Sequence, residues 1–507
     1  MLFAQSPPGI EWQQCYGGYI FSIVQTFDGG YAVAGYVTSN SGDAWVMKLS
    51  SIGAVEWEKT YGGNGPDYVF CIIQTADSGF ALAGITGSTD GDLSGYHGGY
   101  SDGWALKLSA SGNIQWSKCF GGTGYDYLYS IVQTSDGGFA VTGLAGSNDG
   151  DVHGNHGGWD AWVIRLSPSG GIRWQKCFGG SSDEYAHSIV RTSDGGFAIA
   201  GVAGSFDGQV SGLHGDSTGM FDGWAVKLDS SGKFQWQKCL GGIYEDRAAC
   251  IVQTSDGGYG VTGFTNSSDG DFSDNHGGED AWFAKLDSSG ATEWKKCLGG
   301  SGTDEAYSVI QNSPGQYVIC GLTNTGGEGF PIHGSADDAW VVLLGGSGDF
   351  IWQKLLGGFR DDWGYTVIRT SDGGYAVAAY SNSTDGNALG NKLTGAWVVK
   401  LLSTVGVQGV PAPDAGLHLA AYPDPAEKIV TLGYDLQKAS PVEIAIYSVT
   451  GEIIAAAAAG LPPKQVSEEQ TGHHEVPLDL GAFSEGVYFI KVTAGGLTET
   501  TKVEVMK

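Results

Sequence analysis

Acidic side chains recur in this 507-residue chain at spacings that a fold could gather into one place. Asp67, Asp126, Glu184, Asp246, Asp304 and Asp362 each stand four residues past the second glycine of a Gly-Gly pair. Drawn into a ring they would make a cation site or a polar ligand cup. Two of them facing each other from different units would supply the carboxyl pair of a glycan hydrolase or lyase. The other reading is local: a carboxylate in such a loop accepts backbone N–H bonds and fixes the loop's own shape. A feature repeated six times fits that second role better. A second series is Asp-Gly-Asp, at Asp90/Asp92, Asp149/Asp151 and Asp269/Asp271. Oxygen ligands about a sharp glycine turn suit Ca2+, which takes about six to eight of them. The EF-hand spacing and its closing Glu are missing, and Asp-Gly is also a common turn dipeptide, so calcium is a candidate cofactor and no more. A His follows most of these stretches (His97, His156, His214, His276, His333), and an Asp precedes the next Trp (Asp102, Asp160, Asp222, Asp280, Asp338). Histidine is a poor calcium ligand, and this one reads as a hydrogen-bonding strut. Aromatic side chains that could stack on sugars are Tyr96, Tyr100, Trp159, Phe221 and Trp363, with packing over a loop as the alternative. No nucleophile elbow, metalloprotease helix or phosphate loop stands in its required context, so no catalytic residue is assigned.

These residues hang on a repeat. Trp12, Trp57, Trp116, Trp174, Trp236, Trp294 and Trp352 form one series, and Trp45, Trp104, Trp162, Trp224, Trp282, Trp340 and Trp397 a second. Both have seven members, at intervals of 57 to 62 residues apart from the 45 between Trp12 and Trp57. Within one unit, Ser188–Thr192, Phe197–Gly201, Asp222–Leu228 and Phe234–Lys238 alternate apolar with polar or small residues, and Asp-Gly-Gly or Ser-Gly turns separate the two pairs. Four short antiparallel strands, a to d, repeated seven times predict an all-β, seven-bladed β-propeller over residues 9–405. The chain opens with a d-type strand (Ile10–Gln14) and its repeats end with a c-type strand (Ala396–Leu401). The N-terminal strand d can therefore complete the last blade and leave no open edge. This order puts the short a–b and c–d turns on one face and the long d–a and b–c loops on the other. Binding is expected on the long-loop face.

The unit S-I-V-Q-T-x-D-G-G-[YF], then D-x-W-V-x-K-L, then W-x-K-x-x-G-G, resembles a family of bacterial secreted propeller repeats. Its Thr-Ser-Asp-Gly-Gly turn resembles the Asp box of sialidase propellers, a structural turn; their arginine triad has no counterpart among six scattered Arg. Residues 406–418, with Val410-Pro411-Ala412-Pro413, read as a linker, and 419–507 as a small Ig-like β-sandwich. That segment resembles the type A C-terminal sorting domain of the type IX secretion system of the Bacteroidetes. The resemblance rests on Tyr422-Pro423-Asp424-Pro425-Ala426, the strand before Gly451, Gly472-His473-His474, and Gly486 to Val492 with Tyr488 and Lys491. Asp424 stands where the family has Asn, a change the turn accepts. The resemblance implies export across the outer membrane by that machinery, to the cell surface or the medium. Residues 1–8 resemble the tail of a signal peptide near Ala4-Gln5, or a frayed end.

Composition narrows the partners. The formal charge is -29, which repels phosphate backbones and argues against nucleic acid. No apolar run is long enough for a membrane span. The eight Cys lack paired spacing and read as small buried hydrophobes. The expectation is an exported, non-catalytic binding propeller with a glycan or protein ligand on the long-loop face. The alternatives are a glycan hydrolase or lyase at the acidic channel mouth, and a structural, calcium-stiffened surface component.

Overall fold

The computed structural model describes residues 5, 7–38, 42–215, 220–325, 332–333, 336–388, 394–403, 420–422, 429–436, 440–448, 465–469, 472–481, 483–484, 486–494 and 497–505. The chain divides into two compact units, Met1–Val405 and Gly406–Lys507. Most of the N-terminal remnant, the linker 406–418, and the sorting-motif residues Pro423, Pro425 and Gly451 lie outside the described residues.

The first unit is seven four-stranded antiparallel sheets. Their inner strands a are Tyr19–Gln25, Asp67–Gln74, Asp126–Gln133, Glu184–Arg191, Asp246–Gln253, Asp304–Ser313 and Asp362–Arg369, blades 1 to 7 in order. Each inner strand touches the next, and the last touches the first, so the ring closes. The seventh sheet takes its outer strand from the N-terminus: Ile10–Cys15 pairs with Gly395–Leu401, Cys15 opposite Trp397. The seven-bladed propeller closed by its own first strand, read from the repeat phase, is what the structure contains.

Strand c explains why the blades stack. It lies inside its sheet and between two neighbouring blades, so Asp222–Leu228 is buried at every residue, the lysine included. A buried ammonium needs partners. Lys227 Nζ donates to Asp194 of the a–b turn (2.9 Å) and to the Leu228 carbonyl (2.9 Å). Asp194 in turn accepts from Thr192 Oγ1 and from the Gly196 N–H (3.0 Å). The same group forms around Asp28, Asp77, Asp136, Asp256 and Asp372. Strand d often adds another partner, as Glu56 does for Lys48, Glu293 for Lys285 and Glu11 for Lys400. Blade 6 has Pro314 for the Asp, Leu343 for the Lys and Ile351 for the Glu. The charged group is replaced as a whole, which spares a buried lysine without a partner.

Two rings of hydrogen bonds join the blades. On strand a the motif Ser, or the Thr or Cys in its place, reaches the next blade: Ser22 Oγ accepts the Ile72 N–H, Ser188 Oγ accepts the Ile251 N–H, and Thr366 Oγ1 donates to the Phe21 carbonyl across the closure. The motif Gln accepts an a–b turn N–H of the preceding blade, as Gln253 does from Ser193 (2.7 Å) and Gln25 from Ser371 (2.7 Å). Six of the seven strand-d Trp, all but Trp352, lie on a c–d turn glycine of the neighbouring blade. Gly232, at φ +73, would place a Cβ 2.7 Å from the Trp174 ring, so no larger residue fits. The eight cysteines are free; Cys119, Cys177, Cys239, Cys297 and Cys320 are buried apolar fillers.

The second unit is a sandwich of a three-stranded sheet (Ala420–Tyr422, Ile429–Leu436, Gly472–Asp479) and a four-stranded sheet (Gln465–Glu469, Ser440–Ser448, Gly486–Ala494, Leu497–Val505). Val430, Leu432, Tyr434, Ile446, Ile490 and Val503 meet in its core. Tyr488 is buried there, edge-on to Phe483, and its hydroxyl donates to the Ser484 carbonyl (2.9 Å). Gly486 opens that strand and Lys491 is half-buried along it. Among the described residues no helix is long and apolar enough to cross a membrane.

Candidate functional site

The six repeated acids do not line a channel. Asp67, Asp126, Glu184, Asp246, Asp304 and Asp362 are each 0% exposed. Each accepts the N–H of the second loop glycine, from Gly63 (2.9 Å), Gly122 (2.8 Å), Gly180 (2.7 Å), Gly242 (2.7 Å), Gly300 (2.8 Å) and Gly358 (2.9 Å). Most also hold the start of the b–c loop: Asp126 takes the N–H groups of Gly146 and Ser147, and Asp362 the Ser383 hydroxyl (2.7 Å). Burial raises the pKa of Asp126, Glu184, Asp304 and Asp362, and that of Asp246 to about 6, even against these donors. They are loop struts, and the expectation of a ring at the channel mouth is corrected. The cause is period 2: in strand a the residue after each acid takes the other side of the sheet. Those residues are Tyr68, Tyr127, Tyr185, Arg247, Glu305 and Trp363.

The Asp-Gly-Asp stretches are bound to donors too. Asp90 accepts the Asn64 N–H (2.9 Å), Asp92 the Gly62 N–H (3.2 Å), Asp149 the Thr123 N–H (2.8 Å) and Asp269 the Ile243 N–H (2.9 Å). Asp151 faces His97 Nε2 (3.5 Å), and Asp271 pairs with Lys295. Among the described residues no three His, Cys, Asp or Glu converge to hold a metal ion. These oxygens are engaged by donors pointing at them, an arrangement that does not fit a calcium cage. The histidines are struts: His97, His276 and His333 place Nδ1 2.9, 2.6 and 2.9 Å from Asp102, Asp280 and Asp338.

The five aromatic candidates separate. Tyr100 is exposed and stacks on Tyr125 at 4.5 Å, and Trp159 is exposed beside Gly146. Tyr96 packs against the core between blades 1 and 2, and Phe221 against Tyr185. Trp363 stacks on Tyr380 and donates Nε1 to Asp337 (3.0 Å).

A feature not anticipated lies deeper. Every inner strand carries a β-bulge at the same place, just before the motif Ser, Thr or Cys. The bulged residues are Phe21, Phe70, Tyr129, His187, Ala249, Tyr307 and Tyr365. A bulge adds a residue out of register and re-aims a side chain. All of these but Ala249 are rings, and they stand in file around the channel. Tyr307–Tyr365, Tyr365–Phe21, Phe21–Phe70, Phe70–Tyr129 and Tyr129–His187 have centroids 5.9, 5.2, 5.6, 5.4 and 5.2 Å apart. The file is open only at Ala249, where Arg247 and Glu305 join the wall of a cavity of about 630 Å3. Burial pushes the Tyr129, Tyr307 and Tyr365 phenols up and, with Arg247, the His187 imidazole down to about 4. At neutral pH these rings are uncharged. The signal for them was an aromatic in one slot of six repeats, masked because the bulge breaks the alternation by which strand faces are read.

Residues 420–506 match the family model described as a secretion system C-terminal sorting domain. No curated protein matches the chain. Similar solved structures include Sqt1 from Chaetomium thermophilum (11% identity, TM-score 0.39, covering 76% of this chain and 88% of that one). A fungal alcohol oxidase of the AA5 family, in complex with copper, gives 12% identity, TM-score 0.42 and coverage of 99% and 100%. A puromycin hydrolase gives 11%, 0.41, 83% and 59%. At these scores none bears on activity. The C-terminal unit is a type IX C-terminal sorting domain, and the protein is a seven-bladed β-propeller exported across the outer membrane to the cell surface or the extracellular space.

Proposed function

We propose that the exported propeller is a non-catalytic binding module that takes a glycan on its long-loop face. The observation that carries this is the concentration of exposed rings and apolar side chains on the loops of blades 2 to 5. Tyr100 and Tyr125 present a stacked pair, Trp159 stands in the next b–c loop, and Phe206, Ile243 and Tyr244 continue the surface. Monomeric proteins seldom expose such a run without a partner. Flat aromatic faces with hydroxyls at their edges suit the apolar faces of sugar rings, and they cost little conformational entropy to use.

Two carboxyl groups from different blades do influence each other: burial and then the neighbouring Glu305 raise Glu279 to about 7. The test is a glycan array and polysaccharide pull-down with the full chain, with Trp159→Ala and Tyr100→Ala alongside. Retention lost in both variants supports the reading. Retention unchanged in both, or no glycan retained at all, overturns it.

A further inference from the structure

The channel cavity is separate from that rim and has two unlike walls. One is the file of π-faces from Tyr307 through Tyr365, Phe21 and Phe70 to Tyr129, with successive centroids 5.2 to 5.9 Å apart. The other is the gap at Ala249, where Glu305 and Arg247 enter the lining. Arg247 is already neutralised: its Nε donates to Glu245 (2.7 Å), and its guanidinium lies 5.7 Å from the Phe264 ring centre. Glu305 accepts the Tyr307 hydroxyl (2.5 Å), and Glu279 the Asn266 side-chain amide (3.2 Å). Asp337, held by Trp363, adds a third negative charge near Glu305. An anion entering here would meet the Glu305 carboxylate and one guanidinium that is already paired. A cation would meet ring faces, which attract it through their quadrupoles, and the Glu305 carboxylate, with further negative charge from Glu279 and Asp337 near it.

We propose that the channel cavity binds an organic ammonium group, caged by Tyr307, Tyr365, Phe21, Phe70 and Tyr129 and neutralised by Glu305. The volume, about 630 Å3, suits one small ligand or the end of a longer one. Binding carries a proton signature. Burial raises Glu305 and, with the neighbouring Glu305, raises Glu279 to about 7, so these two coupled acids carry a proton near neutral pH. An ammonium favours the ionised pair, so it displaces that proton, and affinity rises with pH through this range. The groups facing the pair are Tyr307, Asn266, Arg247, Glu245 and Asp337. His187, across the cavity, is neutral throughout that range.

The test is calorimetric titration of the full chain with choline and with its neutral isostere 3,3-dimethyl-1-butanol. Choline should bind saturably, and the isostere about tenfold more weakly or not at all. Choline affinity should fall about tenfold in Glu305→Gln and in Tyr365→Leu, fall from about pH 8 to about pH 6, and stay unchanged in Trp159→Ala. Near-UV circular dichroism checks that each variant is folded. Should one variant not fold, the comparison of choline with the isostere on the unaltered protein decides alone. Equal binding of the two probes, binding of acetate in place of choline, absence of choline binding, or a folded Glu305→Gln that binds choline as before would each overturn the proposal.

Discussion

The two ends of the inner strands are built on opposite plans. At the short-turn end the blades are copies: six carry the same Thr–Asp–Gly turn clasping a buried Lys or Arg, and the seventh drops the whole group together. At the long-loop end and in the channel, position for position, the blades differ: the slot filled by Tyr68, Tyr127 and Tyr185 in three blades holds Arg247, Glu305 and Trp363 in the next three, and Ala249 interrupts a file of rings. Repetition marks residues that each blade needs for itself. Departure from repetition marks residues that serve the ring as a whole, and that is where a ligand site should be sought.

The comparison can be broken most directly at a repeated strut. Asp126→Ala leaves the N–H groups of Gly122 and Ser147 and the Ser147 hydroxyl without their acceptor, and should cost about 3–5 kcal/mol in urea unfolding. A loss under about 1 kcal/mol would show that the buried acids do not hold the loops. Next is Leu343→Lys in blade 6. It installs the lysine that the other blades bury, without its Asp, and should destabilise by about 2–4 kcal/mol. Adding Pro314→Asp and Ile351→Glu should recover part of that loss, and failure to do so would mean the group does not act as a unit.

The two ends also titrate in opposite senses. At the short turns, burial is the largest single influence on Asp28, Asp77, Asp194 and Asp372 and raises them, but the Thr, Lys and glycine N–H bonds together outweigh it and hold them at about 2; for Asp256 the Thr254 bond leads to the same end. Their stabilisation is complete above the unfolded carboxylate pKa and is lost as pH falls through about 4 toward 2. At the long loops burial raises Asp246 and Asp280 to about 6, so the folded state binds protons there that the unfolded state does not. Stability therefore falls as pH rises from about 4 through 6. The melting temperature should peak near pH 5, decline gently toward pH 8 and drop steeply below about pH 4. A flat profile above pH 5 would remove the contrast. Smallest in stability is Trp159→Ala, within about 0.5 kcal/mol of the parent, because the ring is exposed. A larger loss would move Trp159 from ligand contact to packing.

Local rules carried a long way here. Two tryptophan series gave seven units, the d-first, c-last phase gave closure by Ile10–Cys15, and Asp-Gly-Gly gave the hairpins. Each depends on neighbours in sequence or on strict repetition, which a single chain displays. The tail was legible for the same reason, as several motifs in order ending in a buried Tyr488. What the residues alone left open was the side each one faces. Asp126 and Tyr127 are adjacent and both suit a channel; burial between loop and sheet takes the first, and the channel side is left to the second. The file from Tyr307 to His187 depends on a bulge repeated in seven strands, and no spacing rule announces an extra residue in a strand. Glu279 and Glu305 stand 26 positions apart in sequence and meet only because the last residue of one blade's loop pairs with the next blade's entry, Glu279 beside Thr303. Secondary structure follows from patterns along the chain, whereas a shared proton or a cage of rings depends on distances across it, and those exist only once the ring has closed.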